Sequence, residues 1–104
     1  MNTFAEILAT LPAIDDIEKL ELYDGDTLLD SIDNKPGKAG SVSVYNALNQ
    51  QFGALNAAAA KEGLAIFAEH TADAEANPGK HPNIDRLFAV IEQQSELRIH
   101  TVVR

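Results

Sequence analysis

The residues best suited to chemistry lie in one stretch of this 104-residue chain: Glu69-His70-Thr71-Ala72-Asp73-Ala74-Glu75, followed by Asn77-Pro78-Gly79-Lys80-His81-Pro82-Asn83 and Asp85. Two imidazoles and several carboxylates offer nitrogen and oxygen ligands suited to a divalent zinc, manganese or iron ion. His70, Asp73, His81 and Glu69 form the candidate ligand set. The same groups serve general acid–base chemistry where burial or a neighbour brings a pKa toward the working pH. His70 and His81 stand eleven residues apart, however, and no His-Glu-x-x-His spacing occurs. The alternative is a solvated loop in which Asp and Asn cap turns, Pro78-Gly79 reverses the chain and Pro82 opens a helix.

Other patterns point to less. Gly37-Lys38-Ala39-Gly40-Ser41 precedes a helix and superficially resembles a phosphate-binding loop, but lacks its spacing. Ser31, Ser41, Ser43 and Ser95 sit in no nucleophile elbow, and there is no dinucleotide fingerprint. Asp24-Gly25-Asp26 does not continue into a calcium loop. His100 stands alone and takes no role.

The elements that position these residues follow from periodicity. Phe4, Ile7, Leu8 and Leu11 mark a short first helix before Pro12. Glu18 to Tyr23 and Asp26 to Asp33 flank a turn at Asp24-Gly25 and predict an antiparallel hairpin. A two-residue turn there sets Leu20 opposite Leu29 and Lys19 opposite Asp30. Asn34 to Gly40 reads as a loop. A helix capped by Ser41 follows, with a stripe of Tyr45, Leu48, Phe52, Leu55 and Ala59, and Gly63 at its end. Leu64 to Ala68 is an apolar run of buried-strand length, and Thr71 to Asn83 a polar connection in which Ala72 to Ala76 form at most one helical turn. Ile84, Leu87, Phe88 and Ile91 mark a helix capped by Asn83, and Glu96 to Arg104 a last strand.

The order α-β-β-α-β-α-β predicts one mixed α/β domain spanning residues 1–104. Its sheet is a mixed four-stranded one, with an N-terminal antiparallel hairpin, a C-terminal parallel β-α-β crossover and helices packed on it.

Composition narrows the function. The formal charge is −8, and residues 1–33 hold nine acids against Lys19 alone, while residues 34–104 hold seven of each sign. Such a chain is poorly suited to neutralising phosphates along a nucleic acid. There is no cysteine, hence neither a disulfide framework nor a thiolate metal site. Met1 to Glu6 lacks a basic signal region, and no apolar run nears the roughly 18 residues of a membrane helix. The expectation is a cytoplasmic protein.

The Asp-Gly hairpin, the alanine-rich middle helix and the stretch Phe67 to Ile91 together resemble a family of short bacterial proteins filed as a domain of unknown function. The resemblance covers nearly the whole chain and implies a stand-alone bacterial protein. It carries no activity, cofactor or catalytic residue with it. The leading expectation is an accessory or interaction module without catalytic activity, docking a protein, a basic one included, through Asp15 to Asp33. The alternatives are a small metal-dependent or acid–base enzyme sited in residues 69–85, and a homo-oligomer joined through sheet edges.

Overall fold

Two apolar periods organise the chain. Period two in Ile17 to Asp24 buries Leu20 and Leu22 on one sheet face, and period 3.6 in the later segments buries one stripe of each helix. The computed structural model describes residues 3–104. Along it run α1 (Phe4–Leu8), β1 (Ile17–Asp24), β2 (Thr27–Asp33), α2 (Ala39–Phe52), α3 (Ala57–Phe67), α4 (Glu69–Ala76), α5 (Pro82–Gln93) and β3 (Arg98–Val103). The two residues outside this range include the start of the N-terminus that was read for a signal.

The sheet has three strands in the order β2-β1-β3, and both pairings are antiparallel. The expected mixed four-stranded sheet and parallel crossover are therefore corrected. Leu64 to Ala68 is no strand: Ala59, Ala60, Gly63 and Phe67 are the buried positions, which is helical spacing, and Leu64 to Phe67 form the last turn of α3, with Ala68 just beyond it. The alanine run before it sets the conformation, because a helix already nucleated extends at low cost.

The expected long helix divides in two. Gly53 takes a left-handed conformation, φ 77°, and ends α2. Leu55 then pairs with Leu97 in an isolated bridge, and Asn56 caps α3 by accepting from the Ala59 amide at 2.9 Å. Gly63 ends nothing. It is buried inside α3, where an added Cβ would stand 2.8 Å from a Leu87 methyl and 2.9 Å from a Leu48 methyl. The helix starts differ as well: Lys38 and His81, not Ser41 and Asn83, occupy the N-cap positions.

The hairpin turn falls at Gly25-Asp26, one residue later than expected, and a bulge leaves Leu29 without a partner. Leu20 thus faces Ile32 and Lys19 faces Asp33. The later turn and the bulge together move the pairing by three positions. Arg98 pairs with Tyr23 across β1 and β3, and its guanidinium lies 4.4 Å from the Tyr23 ring centre.

Helix α2 touches all three strands, and α3 packs against both α2 and α5. The core is continuous: Leu20, Leu22, Ile32 and Ile99 from the sheet meet Val42, Tyr45 and Leu48 of α2, with Leu87 and Val90 of α5 beyond α3. Its radius of gyration, 12.7 Å, is that of one compact domain of this length. No helix of the described residues is long and apolar enough to cross a membrane.

Tyr45 is the largest fully buried side chain. Its hydroxyl donates to the Asn83 carbonyl at 2.5 Å and accepts from Arg86 at 3.2 Å, while the other end of that guanidinium pairs with Asp30 on β2. Burial pushes the phenol up to about 12.

Two measurements follow. Gly63→Ala should lower the free energy of unfolding by about 1–3 kcal/mol in a urea titration, since both leucines must leave well-packed rotamers. The raised phenol stabilises the fold below its ordinary value of 10.0, and this contribution is lost as pH rises toward about 12. Tyr45→Phe should therefore cost about 1–3 kcal/mol at neutral pH, by stranding the Asn83 carbonyl. It should also flatten the alkaline limb of stability against pH.

Candidate functional site

The connection from α3 to α4 determines where the candidate residues go. Ala68 adopts φ 51° and ψ −117°, a conformation costly for any residue with a Cβ. It turns the chain sharply enough for α4 to begin at Glu69. The expected polar loop is thus corrected to a two-turn helix, tied down by buried Ala74 and by the Thr71 hydroxyl, which donates to the Leu64 carbonyl at 2.6 Å. A helix here places His70 and Asp73 on one face, three residues apart.

After α4 the chain reverses through Asn77-Pro78-Gly79. Asn77 donates from its side chain to the Asp73 carboxylate at 3.0 Å, and Gly79, at φ 93°, donates its amide to Asp85 at 2.9 Å. The reversal carries Lys80 and His81 back onto α4. His81 Nε2 lies 2.6 Å and Lys80 Nζ 3.0 Å from the same Asp73 oxygen, Oδ2. The two imidazole rings are 5.9 Å apart between centres.

The structure therefore brings His70, Asp73 and His81 together and separates Glu69 from them. Glu69 accepts the Phe4 amide at 2.8 Å and so holds α1 in place. The Phe4 ring stacks on Phe67 at 5.4 Å, meets His70 edge-on at 5.1 Å and rests on Gly40, where a Cβ would lie 3.2 Å from it. Among the described residues no three His, Asp or Glu side chains are arranged to hold a metal ion.

These groups border a cleft of about 380 Å³. Phe4, Phe67 and Ile84 give it an apolar side, and Lys38, Ser41, His70, Lys80, His81 and Asn83 a polar one. Sequence reasoning treated the Gly37 to Ser41 loop and the Glu69 to Asp85 stretch separately; the fold brings residues of both into the lining of one cavity. It missed Phe4 and Phe67, which read as ordinary core residues. A family model matches residues 4–101 of the chain, cleft included.

The chain belongs to DUF2322, the uncharacterized proteins conserved in bacteria. No match is found among curated proteins or among solved structures. The DUF2322 membership agrees with the resemblance drawn from the hairpin, the alanine-rich helix and the Phe67 to Ile91 stretch. Within this DUF2322 chain the carboxylate that acts on the lining of the cleft is Asp73, which holds His81 and Lys80. The hydrogen bond from His81, and after it the one from Lys80, holds its carboxyl at about 2, below the usual carboxylate range.

The carboxylate is ionised at neutral pH and accepts, so His81 donates from Nε2, and in the neutral ring Nδ1 is then the acceptor. A carboxyl pKa lowered by folding stabilises above its ordinary value of 3.8, and the contribution is lost as pH falls toward about 2. Asp73→Asn should accordingly flatten the decline of stability across that acid interval. Denaturant titrations of the two proteins at several acid pH values provide the check.

Proposed function

We propose that this chain binds a small molecule in the cleft and exchanges a proton with it through His81. The observation that carries this reading is the 2.6 Å contact of Asp73 with His81 at the wall of the 380 Å³ cavity. A carboxylate that orients an imidazole and selects its tautomer leaves the second ring nitrogen ready to take a proton. His81 is only a quarter exposed, which limits competition from bulk water while leaving the ring accessible. His70 adds a second imidazole within the same walls, and Phe4 and Phe67 supply apolar surface for a ligand's body.

A divalent metal has less support. The Asp73 oxygen that would bind it already faces the Lys80 ammonium at 3.0 Å, and a second positive charge there is repelled. Docking through the acidic first third has less support too, because Asp30 is paired with Arg86 and Asp33 with Lys35.

Protein-observed NMR of the isotopically labelled chain, titrated with a panel of amino acids, nucleosides, sugar phosphates and dicarboxylates, tests the proposal. At least one compound should shift the His70 and His81 imidazole resonances, and its binding should weaken about tenfold in His81→Gln through the lost hydrogen bond. A panel in which no member moves either imidazole would sink the reading.

A further inference from the structure

The chain carries sixteen acidic side chains against eight basic ones, yet among the described residues no Asp or Glu lines the cleft. Its charged and titratable lining consists of Lys38, Lys80, His70 and His81. Asp73 and Glu69 contact lining residues without lining the cleft themselves, engaged with His81 and Lys80 in one case and with the Phe4 amide in the other. In a strongly acidic protein this is a local inversion of charge inside the concave surface that would receive a ligand.

We infer that the ligand carries an anionic group, a phosphate or carboxylate, which sits between Lys38 and Lys80 while its apolar body lies on Phe4 and Phe67. This rests on the small-molecule reading above and names its substrate class. Lys80 is already 3.0 Å from Asp73, so it presents one ammonium to two anions, and Lys38, exposed as Lys80 is, supplies the second lysine of the lining. The backbone adds to the side chains: the amides of Gly40, Ser41 and Asn83 belong to the first turns of α2 and α5, where no acceptor of the same helix precedes them. Neither α2 nor α5 has a side-chain cap at its start. An oxyanion would accept from such amides, which point outward along the helix axis.

Three probes separate the parts: phenyl phosphate, inorganic phosphate and neutral benzyl alcohol, each titrated into the isotopically labelled full chain and followed by NMR. Phenyl phosphate should shift the amides of Gly40, Ser41 and Asn83 together with both imidazoles. It should bind at least about tenfold more tightly than benzyl alcohol, and weaken by a similar factor in Lys38→Ala, as for a lost charged hydrogen bond. Inorganic phosphate should shift the same amides more weakly, while Lys61→Ala, on the outer side of α3, should leave all three titrations unchanged. Equal affinity for benzyl alcohol and phenyl phosphate, or indifference to Lys38→Ala, would overturn the anionic class and leave the cleft reading standing. Absence of any shift at His70 and His81 with all three probes would remove both.

Discussion

The contact on which the molecule's layout depends is the hydrogen bond from the buried Tyr45 hydroxyl to the Asn83 carbonyl. Tyr45 lies one turn inside α2 from Ser41, and Asn83 is the second residue of α5. One bond therefore sets the starts of these two helices side by side, and the cleft is the space between them. Arg86 extends the link outward: it donates to Tyr45 and to the Asn83 side chain and pairs with Asp30, so β2 is joined to the same point. A phenol removed from water is tolerated only with its oxygen satisfied, which makes the position of α5 specific as well as stable.

The helices closest to an amphipathic ideal were readable from residue types. Of the stripe read for α5, Ile84 and Leu87 are buried while Phe88 and Ile91 are half-buried, and Val90, outside that stripe, is the third buried position; Leu20 and Leu22 alternate inward on β1, where one period dominates. Leu64 to Ala68 was misread because a short apolar run carries no period of its own. What decides it is the preceding helix and the contact of Gly63 with Leu48 and Leu87, which is visible only in three dimensions. The hairpin was recognisable from Asp24-Gly25 but not its register, since a bulge costs little and leaves no mark in composition.

The candidate site was half legible. His70, Asp73 and His81 stood out by type, and they do meet, through a turn whose Pro78-Gly79 was read as a chain reversal. Glu69 has the same chemistry as Asp73 but lies one helical turn earlier and is engaged with α1. The other part of the lining was noticed as a glycine-lysine loop and set apart for want of motif spacing. Nothing local connects Gly37 to Ser41 with residues 80 to 84. Their proximity is a product of the Tyr45 contact and of helix packing, and so belongs to tertiary structure alone.

Helix α1 buries none of its five residues and is closed by a capping box between Thr3 and Glu6. Its hold on the rest of the molecule is largely the Phe4 ring and one amide hydrogen bond. Segments with so little buried contact open at a small fraction of the global unfolding free energy. The depth of the cleft therefore rests on a loosely held part: with Phe4 seated, its ring covers Phe67 and meets His70, and opening of α1 would uncover both. A ligand that touches Phe4 binds the seated form and so stabilises it against that opening.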